Sequence, residues 1–148
     1  MSIEASITVM PPQELRKWKK DPEKYVFPKR IKRFEFELYH FWGDFDEALV
    51  HLGEPLQFAI MGMNRAEWDE PDEEMDTVWD ADIPPAMVKK IDRALSKISD
   101  EAFLTALNQS GTKLRKRQHR DYLDVFSTLK AAYRLAAKRN LYVCVLIC

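Results

Sequence analysis

Apolar and polar residues alternate at the start of the chain, with Ile3, Ala5, Ile7 and Val9 on one side and Glu4, Ser6 and Thr8 on the other. A period of two belongs to a strand with one wet face, so the chain is predicted to open on a strand. Pro11 and Pro12 end it, because proline donates nothing to a ladder yet suits the first turn of a helix. Gln13, Glu14, Leu15 and Trp18 continue as a short helix that stops at Asp21-Pro22. Residues 22 to 33 mix Pro22 and Pro28 with lysines and arginines and predict an irregular connection.

The aromatic segment that follows fits two periods. Phe34, Phe36 and Leu38 suit a strand, whereas Leu38, Phe41, Trp42, Phe45, Leu49 and Leu52 recur at helical spacing, and a helix from about 38 to Gly53 is preferred. Pro55 to Gly62 is a compact apolar run that belongs to the core as strand or as helical turn. Residues 65 to 82 carry few periodic apolar positions and are predicted to be a long acidic loop, of the kind that in a compact domain is functional or disordered.

Asp82, Ile83, Pro84 and Pro85 start a helix in which Val88, Ile91, Leu95 and Ile98 recur at three, four and three. Ser99 is placed to cap a second helix carrying Phe103, Leu104 and Leu107, closed near Gly111. A longer helix puts Tyr122, Val125, Phe126, Leu129, Ala132, Tyr133 and Ala136 on one stripe, with Asn140 as its C-terminal cap. Residues 141 to 147 are almost wholly apolar, the pattern of a strand buried on both faces. The expected fold class is α+β: a small mixed β-sheet, in which the N-terminal strand and the buried C-terminal strand pair, packed against several α-helices.

A length of 148 residues suits a single domain with a sizeable core, and 46% hydrophobic with 32% charged residues is a globular composition. No run approaches the 18 to 20 apolar residues of a membrane span, and no secretory signal is visible, so the expectation is a cytoplasmic protein without a membrane partner. Cys144 and Cys148 lack further ligand types nearby and read as two small buried hydrophobes on one face, not as a zinc site.

Net charge is only -1, but its layout is divided. Residues 11 to 34 hold nine basic and three acidic side chains, 35 to 82 hold one and fifteen, and 83 to 148 hold thirteen and five. Two consequences are open. The acidic segment lies over Lys113, Arg115, Lys116, Arg117 and Arg120 and is neutralised within the fold, or it stands free and steers a basic partner. Trp68, Asp69, Glu70, Asp72, Glu73, Glu74, Asp76, Trp79 and Asp80 are the candidate partner-binding residues, since aromatic side chains beside charges are what hot spots are made of. The two tryptophans serve equally well as anchors that pin the segment to the core.

Catalytic parts are sparse. His40 with Asp44 and Glu47 with His51 have the i, i+4 spacing that brings a carboxylate to an imidazole on a helix, which also describes ordinary surface ion pairs. No serine or cysteine elbow accompanies them, so a hydrolase or transferase using His40 or His51 is the alternative reading. The four glycines are isolated, which excludes the familiar phosphate loops, and the acidic segment lacks the sixth-position glycine of an EF-hand. No cofactor or metal is expected. The basic stretch 113 to 120 offers a nucleic-acid reading, against which stand the near-neutral total and the large acidic block.

Several packing patterns together resemble one family. Thr8-Val9-Met10-Pro11-Pro12-Gln13-Glu14-Leu15 is similar to its opening strand and helix start, and Pro55-Leu56-Gln57-Phe58-Ala59-Ile60-Met61-Gly62 to its apolar segment ending in glycine before an acidic loop. Ile83 to Ile98 resembles its proline-initiated helix, and Tyr122 to Ala137 with Leu141 to Ile147 its closing helix and strand. The chain thus resembles, over nearly its full length, the YfbM-like bacterial domain family, whose members are of unknown function. Met63 and Asn64 stand where that family often carries a second glycine. The resemblance implies an α+β domain and, through the toxin and immunity neighbourhoods such families occupy, an immunity protein that binds and neutralises a cognate toxin with a basic surface. An analogy of fold is an associational warrant for function.

Overall fold

The computed structural model describes residues 3–32, 34–66 and 79–148. Four strands, β1 (Ala5–Met10), β2 (Glu35–Tyr39), β3 (Trp79–Ile83) and β4 (Tyr142–Ile147), form one sheet in the order β2-β1-β4-β3. The first and last strands pair at its centre, from Ala5 opposite Ile147 to Met10 opposite Tyr142, as the two terminal apolar patterns predict. Every pairing among the described residues is antiparallel, so the sheet is not mixed. Side-chain period fixes which face of a strand is buried; it carries no information on the direction of strands far apart in the chain.

Both edge strands correct the sequence reading. Residues 35–39 are a strand, with Ile7 opposite Phe36, and the helix begins only at Trp42 after a turn in which Tyr39 takes a φ of 52°. Leu38 fits both periods; the open edge of β1 decides, because a residue there gains ladder hydrogen bonds and burial together. Residues 79–83, expected at the end of a loop, form β3: Trp79, Ala81 and Ile83 face the core and Asp80 and Asp82 alternate with them.

The α-helices that lie wholly within the described residues are α1 (Pro12–Lys20), α2 (Lys29–Lys32), α3 (Trp42–Leu52), α4 (Pro85–Ser96), α5 (Asp100–Gln109) and α6 (His119–Arg139). On one face of the sheet α6 crosses β2, β1 and β4, while α4 packs along α6 and against β4. Ile7, Val9, Leu38, Ile83, Val143, Val145 and Ile147 meet the buried stripes of these helices there. Further out α3 packs on α5, and Phe103 and Phe126 stack with ring centroids 3.9 Å apart, with Phe45 edge-on at 4.8 Å. The Tyr133 hydroxyl, buried in this core, donates to the Ala59 carbonyl.

The other face is covered only in part. Leu15 of α1 joins Met10 and Cys144 in a small second cluster, with Trp18, Tyr25, Phe27 and Tyr142 around it. Burial pushes the Cys144 thiol up to about 12, so it stays protonated and behaves as a small hydrophobe. Cys148, expected beside it, is exposed: its backbone still exchanges hydrogen bonds of 2.9 Å with Glu4, but it lies at the end of the strand away from the Leu15 cover over Met10 and Cys144.

Candidate functional site

The partly covered face of the sheet leaves a cleft at the β3 edge. Asp80 and Asp82 project from β3 by strand alternation, Trp18 and Lys19 come from the last turn of α1 with Pro22 just beyond, and Met63 and Asn64 from the turn after Gly62. These side chains line about 310 Å³. Gly62 makes the approach possible. Its φ of +76° is left-handed, and a Cβ there would lie 2.6 Å from the Ala81 Cβ, so only glycine lets this turn rest against β3.

The electrostatics of the cleft are uneven. Asp82 Oδ1 accepts from Lys19 Nζ at 2.9 Å, and this bond raises the Lys19 pKa against the desolvation that opposes it. Asp80 is exposed and takes part in no ion pair among the described residues. Met63, 45% exposed, and half-buried Trp18 place apolar surface beside that carboxylate. The acidic segment is anchored at both described ends. Arg65 holds Asp46 through two nitrogens at 2.9 and 3.2 Å and also donates to the Gln57 carbonyl at 2.8 Å. At the other end the Trp79 indole donates to the Met61 carbonyl at 3.1 Å.

Of the two roles open to Trp79, the structure gives the anchor: it is 5% exposed, because its place in β3 points it into the core. Asp80 is on the surface at the cleft. Trp68, Asp69, Glu70, Asp72, Glu73, Glu74 and Asp76 lie outside the described residues. Asp82 is the one carboxylate of the segment with an ion pair among the described residues, and its partner comes from α1, not from the stretch 113 to 120. Sequence reasoning missed Trp18, Met63 and Asn64 as cleft residues. The signal available was Gly62, a glycine ending an apolar run and so a turn against something close.

The histidines do not form the spaced dyads. His40 sits in the turn before α3, stacked on Phe41 at 4.3 Å, so the helical geometry that would bring it to Asp44 is lost. Asp44 Oδ2 instead accepts from the Tyr122 hydroxyl at 2.7 Å; burial first, then this bond, push that phenol up to about 12. His51 Nε2 lies 2.8 Å from Gln109 Oε1 across α3 and α5, and no imidazole lines the β3 cleft. In the basic stretch, Lys113 is bound to the Asn108 carbonyl and side chain, and Arg115 N–H donates to Gln118 Oε1 within a 3-10 turn. Among the described residues no three His, Cys, Asp or Glu side chains converge as a metal site. No described helix is long and apolar enough to cross a membrane.

No protein-family model matches the chain, and no curated protein does. Its fold superposes on that of YfbM from Escherichia coli, a protein of unknown function, over 98% of this chain and 99% of the other, with a TM-score of 0.61 and 9% sequence identity. The chain has a YfbM-like fold. At that identity the likeness is one of backbone architecture. In this chain, Met63 and Asn64 after Gly62 put exposed side chains at the cleft, where a second glycine would have left backbone alone.

Proposed function

We propose that this chain is a non-catalytic binding domain whose acidic face at β3 receives a basic protein, and that it is a cytoplasmic immunity protein neutralising a cognate toxin. The observation that carries this reading is Asp80: an exposed carboxylate on an edge strand, in no ion pair among the described residues, beside the apolar surface of Met63 and Trp18 in a cleft of about 310 Å³. A basic side chain entering there meets charge and apolar contact together, the combination that steers encounter and then holds it. In the sequence seven further acidic side chains lie between Arg65 and Trp79, directly before Asp80, and charge of one sign is what steers a basic partner. Trp18 takes the aromatic role that Trp79, turned inward, does not.

Parallel affinity purifications from the native host test the proposal. The baits are the wild-type chain and one bearing Asp69→Asn, Glu70→Gln, Glu73→Gln, Glu74→Gln and Asp80→Asn. A basic protein retained by the first bait and lost from the second, toxic when expressed alone and harmless when co-expressed with the chain, is the expected result. Identical proteins on both baits would reject the acidic face, and a retained protein without toxicity would reject the immunity role.

A further inference from the structure

A second surface, separate from the β3 cleft, lies between α4 and the chain that links α3 to the apolar run. It is an open groove of about 700 Å³. Leu56 and Ile98, both buried, and Leu52, Phe58 and Met87, half-buried, make its floor. Along the α4 side stand Lys90, Arg93 and Lys97, all exposed, and none is in an ion pair or side-chain hydrogen bond among the described residues. Among the described residues Glu54 is the one carboxylate that lines the groove, and it makes no ion pair with them.

The charge on α4 is unbalanced. Its one acidic residue, Asp92, is buried and turned to Arg134 of α6 at 3.5 Å. Lys90 and Arg93 are three apart and Arg93 and Lys97 four apart, so neighbouring cations repel along one stripe. A helix gains nothing from this by itself; carboxylates brought from outside would relieve it. From Lys90 to Lys97 is seven steps, about 10 Å of helix rise, which is two turns of a second helix laid alongside. A flat lipid surface would meet the cations but not the apolar floor below them, whereas a helix about 10 Å across can enter and reach both.

We propose that this groove binds an amphipathic helix of a protein partner, its apolar stripe on the Leu56, Phe58 and Ile98 floor and its carboxylates, three and four residues apart, against Lys90, Arg93 and Lys97. The occupant is opposite in sign to the partner of the β3 face, so the two surfaces are independent.

Fluorescence anisotropy with a labelled helical peptide of about four turns, apolar on one stripe and carrying glutamates beside it, is the test. The wild-type chain is expected to bind it, and Lys90→Gln/Arg93→Gln/Lys97→Gln to bind it about tenfold more weakly or worse, the scale of a few exposed charge pairs. Replacing the peptide's glutamates with glutamine should erase that difference. A charge-reversed chain, Lys90→Glu/Arg93→Glu/Lys97→Glu, should prefer a peptide with lysines in the same row, and Asp80→Asn should leave binding of the glutamate peptide unchanged. No binding of that peptide, equal binding by all chains, or stronger capture of the wild type by phosphatidylglycerol vesicles would each overturn the proposal. So would self-association that the triple substitution abolishes, which would make the occupant a second copy.

Discussion

Glu14 is a carboxylate in a position almost closed to water, and its partners explain why it is tolerated there. The Tyr25 hydroxyl donates to one oxygen, Arg30 Nη2 reaches the other at 3.0 Å, and Lys17 Nζ lies 3.6 Å away. The Tyr25 bond does most to hold its pKa below the usual carboxylate range, with Arg30 and Lys17 adding to it and burial opposing. A lowered folded-state value means the unfolded chain binds the proton first. The stability this group contributes is therefore complete above its ordinary value and is lost as pH falls through the lowered one. Glu14→Gln should accordingly lower the urea midpoint at pH 7 and flatten its decline between pH 5 and 3; a wild-type slope in the variant would show that Glu14 does not couple folding to protons. Apart from Lys17, three residues on along α1, this network was not legible in the sequence. Tyr25 and Arg30 are 11 and 16 residues from Glu14, in a connection whose prolines and charges carry no period.

At the scale of elements, β1 and the helices from α4 to α6 were readable because each is long enough for its period to repeat, and β4 because its apolar run is unbroken. Their ends were readable too: Ser99 Oγ accepts from the Ala102 N–H at 3.1 Å, and Asn140 closes α6 in the left-handed conformation. The edge strands were not. Five residues give two or three alternations, and in β3 the run Trp79-Asp80-Ala81-Asp82-Ile83 follows so many acidic residues that its period is masked by composition. β3 meets the apolar turn where Gly62 rests against Ala81, and the Trp79 indole donates to the Met61 carbonyl beside it. Gly62→Ala combines a left-handed alanine with a clash against backbone-anchored Cβ, and should cost about 2 kcal/mol or more in urea unfolding. An unchanged midpoint would mean that the turn shifts freely from β3 and that the cleft is not built as described.

Across the whole molecule, the divided charge was visible from sequence, but the faces it makes were not, because only folding brings Lys19 to Asp82 and sets Asp80 beside Trp18 and Met63. The same folding separates an acidic edge at β3 from a cationic groove along α4, surfaces that total charge averages away. The proposed function requires the first of these surfaces to act at a distance on a basic protein. Stopped-flow association of the chain with the protein it retains, followed over increasing ionic strength, tests this most directly. Rates for the wild type should fall steeply with salt. The variant neutralised at Asp69, Glu70, Glu73, Glu74 and Asp80 should associate more slowly with a shallower slope, while equal rates and equal slopes for the two chains would contradict the account.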